Sequence, residues 1–550
     1  MNYLTKYKKW LESEKVDDFT KNTLKTLSGT EIKECFSTDL EFGTGGLRGI
    51  MFPGTNRLNI YTIRQATQGL ANEILLAGKK HADKGVVIAY DSRHNSEIFA
   101  KETANVLAAN NIKVFLFDSL RPTPELSFAV RHLGCYRGIV ITASHNPKEY
   151  NGYKVYGEDG GQITPEVAKN IMNHIKNTDI FDDVKLSGHM PVFLKDEIDK
   201  SYINAMLQES FNIHIPEKFK VVYTPLHGSG NKLVKQILKK IGVKNLYVVQ
   251  EQEQPDGNFP TVESPNPENP EAFDIAIKYA KETNADLVIG TDPDSDRLGA
   301  VIKNNNGDYI TLSGNQTGCI LCDYILRKSK ETGILPDNGV IVKTIVTTEL
   351  ARKIAENYNV ETYDVLTGFK YIGETIKNFE SNKDGKRFIF GFEESFGYLK
   401  GTYTRDKDAV LAAMLLCEAA ADSINNGTTL YKTLDAIYKK YGHFKEELKS
   451  ITLKGIDGQI KIKAIMDYFR KGYTVAENEL MIDYANGIDN LPKADVLKFK
   501  AKNTSVTIRP SGTEPKIKLY FETNAKSEAT ANEQLQQIKN KFLNIISNLC

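Results

Sequence analysis

Short apolar runs alternate with longer stretches of helical periodicity over most of the chain. Runs such as residues 139–141 and 287–289 are apolar throughout, which is typical of strands buried on both faces of a parallel sheet. Their regular alternation with helices predicts α/β domains with mainly parallel sheets. The longest apolar run, residues 409–417, is shorter than the roughly 20 residues that cross a bilayer, and it therefore predicts a buried helix.

One pattern recurs at four places: a short apolar strand ends in a small polar loop that carries reactive side chains. The four loops are residues 142–147, 290–297, 391–395 and 509–515. Ligands bind at the carboxyl ends of strands in open α/β sheets, and the loops are separated by about 100 to 150 residues, an ordinary domain size. The pattern predicts four domains that each contribute one loop to a shared cleft.

Domain boundaries are expected between these loops. The predicted domains are residues 1–205 with the first loop, 206–306 with the second, 307–432 with the third and 433–550 with the fourth. Residues 255–270 contain five prolines and cannot form a regular helix, so they predict an ordered loop inside the second domain.

Composition and charge exclude several classes of function. The chain has 71 basic and 70 acidic residues, which gives no electrostatic case for binding nucleic acid or a membrane surface. Residues 1–19 lack the apolar core of a signal peptide, so a cytoplasmic location is expected. The six cysteines are too sparse for a disulfide framework. Cys319 and Cys322 lie in an apolar helical stretch and are expected to be packed thiols, with a redox or metal role as the alternative.

The loop 290–297 carries the strongest metal signal, Asp292, Asp294 and Asp296. Alternate side chains of extended backbone share a face, so the three carboxylates are expected to converge on one hard cation. A calcium EF-hand would need glycine and glutamate where the chain has Arg297 and Lys303. Oxygen-only coordination by few carboxylates favours Mg²⁺, and a solvated acidic turn is the alternative.

The loop 142–147 carries a candidate nucleophile. Ser144 follows the end of a strand, with the ionisable His145 beside it and Lys154 ten positions on, so it is a candidate acceptor of a phosphoryl or acyl group. A serine hydrolase is disfavoured because the chain has no Gly-x-Ser-x-Gly elbow, and because adjacent residues seldom form a nucleophile–base pair in hydrogen-bonding geometry. A simple polar turn is the other alternative.

Three further stretches suit a phosphorylated ligand. In loop 509–515 the guanidinium of Arg509, the hydroxyls of Ser511 and Thr513 and the small Gly512 are features of a phosphate anchor. Glu393 and Ser395 offer acceptors for sugar hydroxyls. The glycine-rich stretch 43–49 lets backbone approach a ligand beside Arg48, although it matches neither a dinucleotide fingerprint nor a P-loop. The combination indicates phosphoryl transfer on a phosphorylated sugar or polyol, which depends on positioning and charge neutralisation.

These loops, in this order, resemble those of the α-D-phosphohexomutase superfamily over nearly the whole chain. They are similar to its phosphoserine loop, metal loop, sugar loop and phosphate loop. The resemblance implies three related α/β domains with mixed, mainly parallel sheets and a smaller α+β C-terminal domain around a central cleft. Residues 43–49, 367–370, 392–397 and 405–408 are most similar to the branch that includes bacterial phosphoglucomutases, phosphopentomutase and glucose-1,6-bisphosphate synthase.

The resemblance implies an intramolecular phosphotransferase that interconverts glucose 1-phosphate and glucose 6-phosphate. A phosphorylated Ser144 and a glucose 1,6-bisphosphate intermediate, which also acts as activator, would carry the reaction. One Mg²⁺ per chain would bind Asp292, Asp294, Asp296 and an oxygen of the phosphoryl group on Ser144. A phosphomannomutase, a phosphopentomutase or a glucose-1,6-bisphosphate synthase would use the same chemistry, but Phe396 and Gly397 replace the glycine-histidine of the dual-specificity mannose type.

The resemblance also assigns roles to individual residues. The candidate proton donors and acceptors around Ser144 are Arg48, His145, Lys154 and Lys407, each of which has simple charge neutralisation as its alternative. The substrate-binding candidates are Arg297, Gly368, Lys370, Glu393, Ser395, Arg405, Arg509, Ser511, Gly512 and Thr513. The expected partners are small sugar phosphates, without nucleic acid or membrane, and the chain is expected to be a monomer or a homodimer. A non-catalytic sugar-phosphate sensor is disfavoured because all four loops retain their reactive residues.

Overall fold

An N-terminal helical unit precedes the first sheet. The computed structural model describes residues 2–43, 45–186, 190–381, 385–453, 456–472, 480–488, 491–511 and 516–549. The unit comprises helices α1 (Tyr3–Glu12), α2 (Asp18–Lys25) and α3 (Gly29–Phe36). The indole of Trp10 packs edge-on against Phe36, Tyr61 and Phe181, with ring centroids 5.7, 5.1 and 5.6 Å apart. This aromatic cluster joins the helical unit to the body of the first domain.

The first sheet carries Ser144 at the end of one of its central strands. Its strands are β1 (Gly46–Ile50), β2 (Val86–Tyr90), β3 (Val114–Phe117), β4 (Arg137–Ile141), β5 (Tyr150–Tyr156) and β6 (Val192–Leu194), and its helices are α4 (Ile60–Ala77), α5 (Lys79–Lys84), α6 (Ser96–Ala109), α7 (Thr123–Leu133), α8 (Pro165–Lys176) and α9 (Asp196–Leu207). In the order β1-β5-β4-β2-β3-β6, strands β4, β2, β3 and β6 are parallel, β5 is antiparallel to β4, and the edge strand β1 is antiparallel to β5 and so runs in the direction of β4. The predicted apolar strand before Ser144 is confirmed as β4, which is buried along its whole length.

The second sheet carries the acidic loop. Its strands are β7 (Lys220–Thr224), β8 (Asn245–Val248), β9 (Leu287–Thr291), β10 (Leu298–Lys303) and β11 (Tyr309–Thr311), and its helices are α10 (Asn231–Lys240), α11 (Gln250–Glu253), a 3₁₀ turn (Pro270–Phe273) and α12 (Asp274–Thr283). Strands β9, β7 and β8 are parallel, and β10 returns antiparallel to β9 through the acidic loop. Residues 254–269 contain neither α-helix nor strand, as their prolines require.

The third sheet presents the predicted sugar loop between two of its strands. Its strands are β12 (Gly339–Thr344), β13 (Glu361–Val365), β14 (Arg387–Glu393) and β15 (Gly397–Lys400), and its helices are α13 (Gly314–Glu331), α14 (Leu350–Asn357), α15 (Phe369–Ser381), α16 (Ala409–Asn425) and α17 (Leu430–Tyr441). Strands β13, β12 and β14 are parallel and β15 is antiparallel. The predicted buried helix is confirmed as α16. Cys319 and Cys322 are buried, unbridged thiols on α13, as expected.

The fourth sheet is antiparallel throughout its described strands, so this part of the chain has the expected α+β architecture. Its strands are β16 (His443–Thr452), β17 (Leu480–Asp483), β18 (Leu497–Lys500), β19 (Thr504–Pro510) and β20 (Lys516–Ala525), accompanied by α18 (Ile456–Arg470), a 3₁₀ turn (Tyr484–Asn486) and α19 (Glu528–Leu549). The side chains of Phe469, Phe499, Phe521 and Phe542 form the core between the sheet and its helices. The predicted fold class is therefore confirmed.

The predicted domain boundaries fall at different places in these elements. Positions 205/206 and 432/433 lie within the helices α9 and α17, and position 306/307 lies in the turn between β10 and β11. All three boundaries stay predictions. Among the described residues, no helix has the length and apolarity that crossing a membrane requires.

Candidate active site

The loops at the ends of β4, β9, β14 and β19 approach a common cavity of about 700 Å³. Six of the predicted site residues line it: His145, Arg297, Gly368, Glu393, Ser395 and Arg509. These six residues come from all four sheet regions of the chain, so the predicted shared cleft is present.

Ser144 is held at the edge of this cavity in an uncommon backbone conformation. Its φ of 52° is in the left-handed region, and its amide donates to the Thr142 hydroxyl at 2.8 Å. Its own hydroxyl donates to a carboxylate oxygen of Asp292 at 2.8 Å and lies 3.1 Å from Nδ1 of His145. Adjacent serine and histidine residues seldom reach hydrogen-bonding distance, but Ser144 and His145 do so here, at a serine with left-handed backbone.

The three aspartates of the acidic loop form one buried cluster. Asp292, Asp294 and Asp296 are at most 1% exposed, and an oxygen from each lies within 4.8 Å of the others. The loop is a turn with φ of 54° at Ser295, so the expectation of extended backbone is wrong. The carboxylates converge because the turn folds back on itself, and the amides of Asp296 and Arg297 both donate to Asp292 at 3.1 Å.

The donor set of this cluster fits a metal ion. One oxygen of Asp294 and one of Asp296 are buried without a hydrogen-bond partner among the described residues. The other oxygen of Asp294 accepts from the Thr123 hydroxyl and from Lys154 Nζ, each at 2.8 Å. Burial and the two neighbouring carboxylates raise the pKa of Asp292 well above its ordinary value. A buried group of carboxylates with unpartnered oxygens is compensated by a bound cation.

Two lysines flank the acidic cluster as ion-pair partners. Lys154 lies 2.8 Å from Asp294 and 3.5 Å from Asp296, and Lys407 lies 2.8 Å from Asp296. Burial lowers the pKa of both lysine ammonium groups, but the neighbouring aspartates raise it by more. Both lysines therefore stay protonated at neutral pH. The structure therefore places both predicted lysines against the acidic cluster as fixed positive charges.

The imidazole and the guanidinium beside Ser144 have different electrostatic roles. Burial, followed by the charges of Arg297 and Arg48, holds the pKa of His145 well below its ordinary value, so its imidazole is neutral at pH 7. Arg48 lies on β1, opposite Gly152 of β5. Its guanidinium donates a hydrogen bond of 3.0 Å to the side chain of Asn146. A guanidinium remains charged at all physiological pH values.

Glu393 faces the cavity at the carboxyl end of β14. Burial raises its pKa to about 7, although Lys407 and Arg297 oppose the shift. The neighbouring Glu394 accepts from the hydroxyls of Thr344 and Thr347, at 3.1 and 3.2 Å. Both acids line the cavity, and Glu394 is the one whose carboxylate is held by two threonine hydroxyls.

Several predicted residues lie apart from the cavity lining. The guanidinium of Arg405 is buried, donates to the carbonyl of Thr404 at 3.2 Å and pairs with Glu380. Lys370 lies 4.9 Å from the centre of the Tyr371 ring. Ser511 borders a separate groove beside α18. Gly512 and Thr513, like Thr44 of the glycine-rich stretch, lie outside the described residues, and their assignments stay predictions.

Three residues of the site were not predicted from the sequence. Thr123 anchors Asp294 from the start of α7, and Glu268 forms an ion pair with Arg297 at the cavity wall. Lys518 also lines the cavity, directly opposite Arg509 in the pairing of β19 with β20. The alternation of polar and apolar residues over 516–522 predicts a strand with Lys518 on its polar face, whereas its place opposite Arg509 depends on the pairing of the two strands.

Models of one protein family match most of the chain. The models are described as phosphoglucomutase/phosphomannomutase, with alpha/beta/alpha domain I at residues 39–180, domain II at 200–307, domain III at 313–441 and the C-terminal domain at 460–541. A phosphoglucomutase from Staphylococcus saprophyticus is 37% identical over 562 aligned residues, which cover 98% of this chain and 99% of the relative.

Solved structures share the fold at lower identity. The Paramecium protein pp63/parafusin, described as a phosphoglucomutase in its open form, has a TM-score of 0.69 at 19% identity and covers 93% of this chain and 96% of its own. The N-acetylphosphoglucosamine mutase of Aspergillus fumigatus, solved in complex with GlcNAc-6P and magnesium, has a TM-score of 0.51 at 13% identity, with 92% and 95% coverage. At these identities the likeness concerns the fold.

Proposed function

The chain belongs to the phosphoglucomutase/phosphomannomutase family, and we propose that it is a phosphoglucomutase that interconverts glucose 1-phosphate and glucose 6-phosphate. As a phosphohexomutase it is an isomerase that transfers phosphate within its substrate. The observation that carries the proposal is the hydrogen bond, 2.8 Å long, from the Ser144 hydroxyl to a buried three-carboxylate cluster beside a cavity with Arg509 and Lys518 on its wall. A serine in this setting suits a phosphoryl carrier.

We assign one Mg²⁺ to the acidic cluster, with Asp292, Asp294, Asp296 and an oxygen of the phosphoryl group on Ser144 as its ligands. The unpartnered oxygens of Asp294 and Asp296 and the oxygen-only donor set support this ion over softer metals. When bound, Mg²⁺ would neutralise the charge of the phosphoryl group during its transfer.

In the first half-reaction the bond between phosphorus and Oγ of Ser144 breaks, and a bond forms to the C6 hydroxyl of glucose 1-phosphate. The C6 hydroxyl loses one proton and Oγ of Ser144 gains one, so one group that passes this proton between them balances the step. His145 suits that role because its imidazole is neutral and its Nδ1 lies 3.1 Å from Oγ. Lys154, Lys407 and Arg48 would stabilise the charge on the transferring group.

The second half-reaction runs in the reverse direction on the other phosphate. Glucose 1,6-bisphosphate turns over in the cavity, and the bond between its C1 oxygen and phosphorus breaks as Oγ of Ser144 takes the phosphoryl group. The proton of Oγ passes to the C1 oxygen, which leaves glucose 6-phosphate. Bisphosphate supplied from solution would also reload an unphosphorylated Ser144, which is the basis of its proposed role as activator.

The remaining site residues would hold the substrate in either orientation. Arg509 and Lys518 suit the phosphate that does not react, because their cations face the cavity from adjacent strands. Glu393 and Ser395 would accept and donate hydrogen bonds to sugar hydroxyls. The proposed grip on phosphate extends to Ser511, Gly512 and Thr513, whereas Arg297, Gly368, Lys370 and Arg405 stay as predicted contributors.

The replacement Ser144→Ala tests the proposal. It should abolish conversion of glucose 1-phosphate to glucose 6-phosphate, followed by ³¹P NMR, and it should remove a phosphoryl adduct from the intact mass of the protein. Ser92→Ala is the matched control, because the Ser92 hydroxyl is buried in the same domain without a hydrogen-bond partner among the described residues. Full activity in the Ser144 variant would refute a phosphoserine mechanism.

A panel of sugar phosphates tests the choice of substrate. Ranking by kcat/KM should place glucose 1-phosphate above mannose 1-phosphate and ribose 1-phosphate. Accumulation of glucose 1,6-bisphosphate that depends on an added phosphoryl donor, without formation of glucose 6-phosphate, would instead identify a one-way synthase. We also propose a cytoplasmic location, which the buried, unbridged state of the five described cysteines supports, and a monomer or homodimer as the working form.

A further inference from the structure

Arg93 is a buried arginine whose guanidinium donates hydrogen bonds to backbone carbonyls. Its side chain is 0% exposed. Nη1 donates to the carbonyls of Pro147 and Tyr150, at 2.8 and 3.0 Å, and Nη2 donates to the carbonyl of Ser144 at 2.6 Å and to that of Asn146. All four acceptors belong to residues 144–150, so a single side chain determines the path of the loop that carries the nucleophile. A charge buried this deeply is tolerated because both terminal nitrogens donate hydrogen bonds and Asp91 lies beside Nε as an ion-pair partner.

Asp91 completes the hold on Ser144 from the other side. Its carboxylate lies 3.4 Å from Nε of Arg93 and accepts from the Thr142 hydroxyl at 2.6 Å. The same Thr142 hydroxyl accepts the amide of Ser144 at 2.8 Å. Both backbone polar groups of Ser144 are therefore fixed by this acid–arginine pair. A left-handed serine is a strained conformation that persists only where its surroundings enforce it.

The proline-rich segment of the second domain closes over Arg93. The ring of Phe259 lies 5.1 Å from the guanidinium carbon and is 2% exposed. A Cβ on Gly257 would lie 2.6 Å from the amide of His94, so the segment rests directly on the turn that follows Arg93. The Ser264 hydroxyl donates to the carbonyl of His145 at 2.8 Å. Residues of one domain thus cover the structural support of the nucleophile in another.

We propose that Arg93, covered by Phe259, is the positioning residue that holds Ser144 in line with the acidic cluster for phosphoryl transfer. The inference rests on the proposed function and adds to it a residue that touches no substrate. Removing the guanidinium releases four carbonyls at once, and Oγ then samples positions away from Asp292. Substrate binding depends on other residues, so the loss falls on kcat and leaves KM nearly unchanged.

Arg93→Lys is the decisive variant, because an ammonium cannot reach carbonyls on both sides of the loop as the guanidinium does. Misplacement by about 1 Å lowers a rate by roughly 100-fold, which is the fall expected in kcat, with KM for glucose 1-phosphate within about twofold. The matched control is Arg137→Lys. Arg137 is also buried, pairs with Glu73 at 2.6 Å and lies at the opposite end of β4 from Ser144, so its kcat should match the wild-type value.

Phe259→Leu keeps the inference testable where Arg93→Lys fails to fold. It leaves the guanidinium in place and removes its aromatic cover, so kcat should fall several-fold at constant KM. If Arg93→Lys folds and has the wild-type kcat, the positioning role is overturned. If only Phe259→Leu folds, a wild-type kcat in that variant overturns it. An equal loss of kcat in Arg137→Lys also overturns it. A wild-type protein that neither carries phosphate on Ser144 nor turns over glucose 1-phosphate refutes the proposed function itself, and this inference with it.

Discussion

The hydroxyl of Thr123 supports the acidic cluster from the first domain, and its removal should weaken binding of the metal. It donates to Asp294 at 2.8 Å across 171 positions of sequence, while the Thr123 amide donates to the backbone carbonyl of Asp294 at 2.8 Å. Thr123→Val replaces the hydroxyl by a methyl group of similar size, so the packing of this fully buried residue is retained. The amide contact is also retained, and the perturbation is confined to one hydrogen bond.

The expected loss of metal affinity depends on which hydrogen bonds the Asp294 carboxylate keeps in Thr123→Val. A hydrogen bond to a charged group contributes about 1.5–3 kcal/mol. The same oxygen of Asp294 keeps Lys154 at 2.8 Å, so it is not left without a partner and the lower end of the range applies. A loss of about 1.5 kcal/mol corresponds to roughly a 10-fold weaker metal site. That factor agrees with the about 10- to 100-fold effects seen when the outer partners of metal ligands are removed.

Magnesium titrations measure this effect. The Mg²⁺ concentration that gives half-maximal conversion of glucose 1-phosphate should rise about 10-fold in Thr123→Val, whereas kcat at saturating Mg²⁺ should change little. Calorimetric titration gives the same comparison without turnover. Thr103→Val is the control, because the buried Thr103 hydroxyl has no hydrogen-bond partner among the described residues. An unchanged half-saturation point in Thr123→Val, or the same rise in both variants, would show that the reasoning is wrong.

Two further predictions concern pH and stability. Burial raises the pKa of Glu393 to about 7, so its carboxylate, the proposed acceptor for sugar hydroxyls, is lost as the pH falls through 7. We therefore expect kcat/KM of the wild-type protein to fall over that pH range. The Glu393→Gln variant should not show this fall. A profile that is the same in both proteins would exclude Glu393 as the titrating group. Trp10→Ala removes a buried indole and should favour opening of the N-terminal helices by about 3–5 kcal/mol, measured as faster amide hydrogen exchange in α1–α3. Phe19→Ala, at an 81% exposed residue, should leave the exchange unchanged.

Individual strands and the chemistry of the loops that follow them were accessible from the sequence, because those signals are local. The apolar run before Ser144 is a strand because it is buried on both sides, and hydrophobicity alone records that. The three aspartates were recognised because three acids within five residues are uncommon outside an ion site. Their actual geometry was not accessible, because the same spacing is compatible with an extended strand and with the turn that places Ser295 in the left-handed region.

Contacts between distant segments were the part that the sequence could not supply. Nothing near Thr123 or Glu268 marks them as neighbours of the acidic loop, since their partners depend on how two domains pack. Arg405 shows the same limit in another way, and its role in substrate binding stays a prediction. Its charge suggested a ligand contact, but burial against Glu380 occupies the guanidinium. A residue's chemistry predicts what it is able to bind, and only tertiary packing decides whether that capacity is free.

Under the proposed mechanism, the charges around Ser144 balance only when both the metal and the phosphoryl group are present. The three buried aspartates are opposed by Lys154 and Lys407, yet one oxygen of Asp294 and one of Asp296 stay without a hydrogen-bond partner among the described residues. A divalent cation would take up those oxygens, and together with the lysines and Arg48 it would oppose the charge of about −2 on a phosphorylated serine. Under the proposed mechanism each component would therefore stabilise the other. By thermodynamic reciprocity, phosphorylation of Ser144 would tighten Mg²⁺ binding by the same factor by which Mg²⁺ favours the phosphorylated form. This coupling gives a physical reason for placing the nucleophile of one domain in hydrogen-bond contact with the acidic loop of the next.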